Sequence, residues 1–266
     1  MRNMKEYLEN QLQYCGNKAF NCTCQLFYKA KPIGSGVFIE IDNNNYLVSA
    51  AHVLEPEFVE KMTIPNGEFL IEIQGTLVVT EIPKGGERED DKIDLGIVKL
   101  TEDCSKEIEN RFRFLTITDI DSEHVELKSH QYMFCGYPVE TTIVKNMEMA
   151  INPTPLKVRT KILRKEFQKI PAYTTGSKWI LDFDRSRQFN ISKQEEESPP
   201  HPKGVSGAGL WTIPVNPNIP IKDTDSKLIG IMTDYFEQGD NAVCATNIKL
   251  VLEIIKKELI DQSHIN

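Results

Sequence analysis

The chain has 266 residues, a formal net charge of −8 and an apolar fraction of 40 %. That length suits one large all-β domain or two modest lobes, with a core large enough to need no covalent staples. The acidic balance excludes a general affinity for nucleic acid, which needs a basic footprint. No apolar run is long enough to span a bilayer, so no membrane partner is expected.

The opening segment, Met1 to Asn10, lacks the apolar stretch of a secretory signal and reads as a short amphipathic helix. A helical extension over residues 1–20 and a cytoplasmic location are the expectation. From residue 21 the pattern turns to β. Asn21–Lys29 is a strand candidate, Gly34-Ser35-Gly36 punctuates, and Val37–Ile41 alternates. Asp42-Asn43-Asn44-Asn45 is a turn cluster, after which Tyr46–Ala51 returns as the paired strand and delivers His52. Further strands are expected at Phe69–Gln74, Thr76–Glu81 and Leu95–Leu100, with a polar loop over residues 83–92.

A second β-rich series starts near Ser122, with strands at Gln131–Pro138, Lys157–Leu163 and Trp179–Phe183. Arg185–His201 is charged and proline-tipped, and reads as a long exposed loop. Leu210–Val215, Lys227–Thr233 and Asn241–Ala245 follow as strands, and Ile248–Ile260 has helical spacing. The expected organisation is all-β, with two six-stranded antiparallel β-barrels. The first covers 21–120 and the second 121–246, and a C-terminal helix occupies 247–266.

The six cysteines show no disulfide or zinc spacing, so buried free thiols and no metal are expected. The alternation Cys22-Thr23-Cys24 predicts both thiols on one face of a strand.

The most specific block is Gly204-Val205-Ser206-Gly207-Ala208-Gly209 followed by the apolar Leu210-Trp211. Glycines beside a serine allow a sharp turn that brings backbone N–H groups towards a substrate carbonyl. A serine hydroxyl needs a base and an orienting carboxylate to become a nucleophile. Ser49-Ala50-Ala51-His52-Val53 and Asp94-Leu95-Gly96-Ile97-Val98 offer them, in the order His, Asp, Ser. Asp90 and Asp91 sit in a charge run and read as solvated, whereas Asp94 directly opens an apolar strand.

With Gly34-x-Gly36 upstream and Leu228-Ile229-Gly230-Ile231 downstream, these blocks resemble the trypsin-like serine peptidases of the chymotrypsin fold, in a divergent intracellular bacterial style. The resemblance covers roughly residues 20–260. It implies that Ser206 attacks the scissile carbonyl, that His52 relays the proton, and that Asp94 orients the imidazole. It implies an oxyanion hole from the backbone N–H groups of Gly204 and Ser206, worth about 3–4 kcal/mol per donor. Thr233, Asp234 and Tyr235 would edge the substrate pocket, with Pro200 near its base. No cofactor is implied, and the partner is a protein or peptide substrate.

The sequence departs from the family at Val205, where an aspartate usually precedes the nucleophile, and at Ala208, where a second glycine usually stands. Without that aspartate, activation by pairing with a new N-terminal amine is not expected. The oxyanion loop must be held another way, permanently or by an activating partner protein.

Two other readings stand beside this one. An α/β-hydrolase would order Ser206, Asp234 and His264, but its nucleophile turn leads into a helix, not the strand-like Leu210–Val215. A binding or scaffold module of the protease fold would be inactive until assembled with a partner. Among the other histidines, His124 and His130 read as surface or packing residues, while His201 stands close enough to Ser206 to line a cleft.

Overall fold

The structure, a computed structural model, describes residues 4–55, 61–66, 69–126, 130–145, 150–152, 156–163, 176–183, 189–190, 195–196, 200–214, 226–237 and 241–263. It begins with α1 (Met4–Asn21). Seven strands follow: β1 (Thr23–Tyr28), β2 (Lys31–Ile41), β3 (Asn44–Ala50), β4 (Met62–Asn66), β5 (Phe69–Glu72), β6 (Gly75–Val79) and β7 (Leu95–Leu100). Helix α2 (Glu102–Glu109) is capped by Thr101, whose side chain accepts the Cys104 N–H. The second half contains β8 (His130–Gly136), β9 (Ile143–Lys145), β10 (Ala150–Asn152), β11 (Leu156–Thr160), β12 (Lys178–Asp182), β13 (Phe189–Asn190) and β14 (Glu195–Glu196). It closes with β15 (Gly209–Pro214), β16 (Leu228–Phe236), β17 (Ala242–Asn247) and α3 (Ile248–Ser263).

Two antiparallel sheets result, in the order β5-β4-β1-β2-β3-β7-β6 and β11-β8-β15-β16-β17-β12. The second curls until its edges meet through the Ile162–Leu181 bridge, with Leu163 N–H donating to Ile180 O at 2.8 Å. Every pair of described strands is antiparallel, unlike the parallel sheet of an α/β-hydrolase, and His264 lies outside the described residues. Six strands are expected per barrel, but the first sheet has seven. The extra one is β4, which carries Pro65 and so reads as a breaker. It pairs with β1 only at Met62 and Thr63, so the missing proline N–H breaks no ladder there.

Strands near the seam between the sheets are apolar on both faces, because both faces are buried. Phe38, Leu47 and Val98 point into the first barrel, while Val37, Ile39, Val48 and Ile97 point outward into a shared core. That shared core also takes Met133, Trp211 and Ile231 from the second sheet, Cys15 and Ala19 from α1, and Val251 and Ile255 from α3. All six cysteines are free and buried. Cys22 and Cys24 do not share a face, contrary to the alternation. Cys22 precedes β1 and joins the shared core, whereas Cys24 lies inside the first barrel.

The connector between the sheets runs along β2, with Leu115 N–H donating to Phe38 O and Glu40 N–H to Leu115 O. It then reaches the second sheet through Asp121 N–H to Leu228 O. Helix α1 is fastened to this connector by a buried ion pair, Lys18 Nζ to Asp119 Oδ1 at 2.8 Å. Lys18 also donates to Ser226 O at 2.8 Å, and Arg113 meets the other Asp119 oxygen at 3.0 Å. Burial raises the Asp119 carboxyl, but the Lys18 hydrogen bond, the Thr116 N–H and the Lys18 and Arg113 charges together bring it below its ordinary value.

A carboxyl lowered in this way adds stability above the unfolded value near pH 4, and loses it as pH falls through the folded value. Lys18→Met should lower unfolding free energy by about 3 kcal/mol at neutral pH, because Asp119 is left buried with less compensation. The variant's urea midpoint should also depend less on pH below about 5.

Candidate active site

The β2–β3 hairpin turns through Asp42 and Asn43, both in left-handed conformation, and its second strand ends at Ala50. The chain then turns tightly, with Val53 and Leu54 N–H groups bonding back to Ala50 O, so that His52 projects from the end of the strand. β7 lies beside β3, pairing Ala50 with Leu95 and Ser49 with Gly96. This register sets Asp94 next to His52. Gly96 has no side chain because a Cβ there would sit 3.0 Å from Leu54 and 3.4 Å from Ala51 Cα.

Asp94 grips His52 at two points. Its Oδ2 lies 2.7 Å from His52 Nδ1, and its Oδ1 accepts the His52 backbone N–H at 3.0 Å. The Asp94 carboxylate is almost fully buried, while the His52 side chain remains 39 % exposed. This arrangement leaves Nε2 as the ring atom without a protein partner among the described residues. Burial lowers the His52 pKa, but the Asp94 hydrogen bond and charge, with Asp234 and Glu55, push it above its ordinary value.

Asp94 adopts a left-handed φ of 53°, and the preceding loop holds it there. Thr80 Oγ1 accepts the Leu95 N–H at 3.0 Å and donates to Asp91 Oδ2. Asp91 also receives Arg88 at 2.9 Å and the Ile93 N–H at 3.0 Å. Asp91 is therefore a buried hub and not a solvated member of a charge run. The sequence signal for it is the Asx turn, in which an aspartate accepts the N–H two residues on. Across the seam, Thr246 Oγ1 donates to Ile93 O at 2.5 Å, so the second sheet also steadies the residue before Asp94.

Ser206 lies in the tight turn between Gly204 and Gly207, whose φ values are 97° and 89°. Val205 N–H donates to Pro202 O and Gly207 N–H to Met232 O, whereas the N–H groups of Gly204 and Ser206 have no protein acceptor among the described residues. Ser206 Oγ donates to Thr233 O at 3.4 Å, not to His52. Val205 is buried in the apolar core of the second barrel. The turn is tied to the first sheet by Ser35 N–H donating to Ser206 O at 2.8 Å. The structure thus places Ser206, His52 and Asp94 at one seam, with β3 and β16 on its two sides.

Thr233 occupies a bulge where β16 slips register against β17. Asp234 beside it accepts from Lys178 Nζ at 3.0 Å and from Thr233 Oγ1 at 2.7 Å. The Lys178 side chain is 1 % exposed, so this cation compensates Asp234 from within the protein. Sequence reasoning missed Lys178, which sits at the start of a distant strand. Tyr235 packs edge-on against His201 at 5.3 Å and Phe183 at 5.7 Å. His201 thus borders this edge, with its N–H on Glu140 Oε2 at 3.1 Å. His124 is a packing residue, bonded to Asp121 and Tyr132. Among the described residues no group of three or more His, Cys, Asp or Glu side chains is arranged to hold a metal. No described helix is long and apolar enough to cross a membrane.

Because Asp94, Asp234 and Glu55 together outweigh burial at the ring, His52 should titrate above about 6.5 when followed by its imidazole proton resonances. Asp94→Asn should bring the midpoint below the wild-type value, since burial then acts with less opposition. A wild-type midpoint below 6.5 would contradict the electrostatic account.

No family model matches the sequence, and no curated protein matches it. Solved structures do. Mouse neuropsin, a serine protease expressed in the limbic system of the brain, matches with 14 % identity and a TM-score of 0.55, over 90 % of this chain and 94 % of its own. The serine endoprotease from Yersinia pestis matches with 16 % identity and a TM-score of 0.51, over 94 % of this chain and 67 % of its own. The MamO protease domain from Magnetospirillum magneticum, in its apo form, matches with 13 % identity and a TM-score of 0.50, over 89 % of this chain and 96 % of its own. Likeness at these identities speaks to architecture and not to activity. The chain has the two-barrel, chymotrypsin-like fold of the trypsin-like serine proteases.

Proposed function

We propose that this protein is a serine endopeptidase that hydrolyses peptide bonds through an acyl-enzyme, with His52, Asp94 and Ser206 as the triad. The observation that carries this reading is the two-point grip of Asp94 on His52, at 2.7 and 3.0 Å, on the seam that Ser206 faces. Fixing Nδ1 by a buried carboxylate leaves Nε2 as the proton acceptor and stabilises the imidazolium that forms when Ser206 attacks. His52 takes the Ser206 proton, the oxygen adds to the scissile carbonyl, and His52 then protonates the departing amine. Water repeats the sequence on the acyl-enzyme and releases the product acid.

The N–H groups of Gly204 and Ser206, which have no protein acceptor among the described residues, are the donors for the oxyanion that develops on the carbonyl. In the free protein Ser206 Oγ rests on Thr233 O. A χ1 rotation carries it to His52, and such catalytic contacts commonly tighten only with substrate bound. The substrate backbone lies along Thr233–Tyr235 on β16. Asp234 is compensated by Lys178, so its carboxylate is a poor anchor for a basic side chain.

The parked Ser206 hydroxyl also favours a second reading, a protease-fold module that stays idle until a partner binds. A fluorophosphonate probe separates the two. The purified wild type should be labelled and Ser206→Ala should not. Labelling only after lysate is added would support the assembly-dependent reading, and none under either condition would sink the nucleophile.

Because His52 must be neutral to act as base, kcat/KM should rise with pH through a step above about 6.5, following the upward shift at His52. Asp94→Asn should lower kcat by about 10⁴-fold, as loss of the correct tautomer does in this arrangement.

A further inference from the structure

A peptide unit is planar and trans, so its C=O and N–H point in opposite directions. Holding a carbonyl therefore aims the following N–H. In the 203–207 turn every carbonyl that matters is held. Lys203 O accepts the Val139 N–H at 2.8 Å, which directs the Gly204 N–H the other way. Val205 O accepts the Ala208 N–H at 2.9 Å, which directs the Ser206 N–H likewise. The two remaining carbonyls are both held by one residue of the opposite sheet, Ser35. Its N–H donates to Ser206 O at 2.8 Å and its hydroxyl donates to Gly204 O at 2.8 Å.

The same hydroxyl accepts the Tyr137 N–H at 3.0 Å, tying it to the segment whose Val139 N–H holds Lys203. Ser35 is fixed in turn, since its carbonyl accepts Ser49 Oγ at 2.7 Å. Ser35 and Ser49 are both fully buried, so these bonds face no competing water. The approach is close enough that a Cβ on Gly207 would stand 2.0 Å from Ser35 O and 2.1 Å from Ser49 Oγ. Val205, in contrast, offers no charge with which to anchor the turn.

We propose that Ser35 is a positioning residue: by holding Gly204 O and Ser206 O and tying them to Tyr137 N–H, it fixes the peptide planes on either side of the donors, so that the Gly204 and Ser206 N–H groups, aimed by the held Lys203 and Val205 carbonyls, stay in place at the cleft of the free protein. The oxyanion donors are then set by a neutral hydrogen-bond clamp from the other barrel, with no ion pair and no chain cleavage. This inference rests on the protease reading for its catalytic consequence, but the clamp itself is independent of activity.

Ser35→Ala removes the hydroxyl and retains the backbone N–H. Its kcat on a peptide substrate should fall by about ten- to a hundredfold with KM within about twofold, the signature of misaligned transition-state donors. Hydrogen exchange of backbone amides over residues 200–210 should be faster than in wild type, while exchange over 248–257 should be unchanged. A change confined to KM, or wild-type exchange over 200–210, would overturn the proposal. Ser35→Cys, similar in size with a weaker hydrogen-bonding group, supplies the same comparison with smaller effects if the alanine variant does not fold. Should the wild type hydrolyse nothing, the protease reading fails while exchange over 200–210 still decides the clamp.

Discussion

His52 and Asp94 belong to one sheet and Ser206 to the other, so the site exists only as long as the seam between the two sheets is held in register. The seam is held in two ways. An apolar core formed by the outward faces of both sheets, closed by α1 and α3, supplies most of the adhesion. Directional bonds supply the register: Ser35 to Ser206 and Gly204, Thr246 to Ile93, and the connector to Phe38 and Leu228. Apolar packing alone tolerates sliding of a fraction of an ångström, whereas buried hydrogen bonds left unpaired are expensive. That asymmetry explains why polar contacts cross the seam beside the apolar core, those of Ser35 and Thr246 at the turns that carry Ser206 and Asp94.

The buried charges divide by what they are allowed to do. Asp119 and Asp91 are saturated by cations and N–H donors and act as fasteners, one for α1 and one for the loop before Asp94. Asp234 is compensated by Lys178 at the edge of the cleft. Asp94 differs, because its partner is the titratable, part-exposed ring of His52. Its surroundings therefore favour a proton on His52 without removing the ring from solvent, which is what the proposed role as a proton-relaying base requires.

The strand pattern was legible because most strands have the two-residue period or a continuous apolar run, and turns carry asparagine, aspartate or glycine. Leu95–Leu100 is recovered to the residue, and the helix from Ile248 begins where expected. What escaped shares a cause. β4 contains Pro65, and α2 is a single short helix in polar sequence, so local propensity speaks against or weakly for each. Tertiary pairing with β1 and packing of Ile108 decide them instead. Cys22 and Cys24 illustrate the same limit, since the alternation rule fails when the strand begins between them.

By itself the sequence determined the all-β class, the order of the His, Asp and Ser blocks, and the glycine-flanked turn, because these depend on local chemistry and spacing. It also showed that Val205 cannot anchor that turn with a charge. Only the tertiary structure decided what does anchor it. Ser35 is an unremarkable serine between two glycines until folding brings it to Gly204, far along the chain. Lys178 and Asp91 are likewise ordinary surface-type residues in sequence and buried partners in space. Such roles arise from contacts between segments distant in the chain, and no local period or motif encodes a contact of that kind.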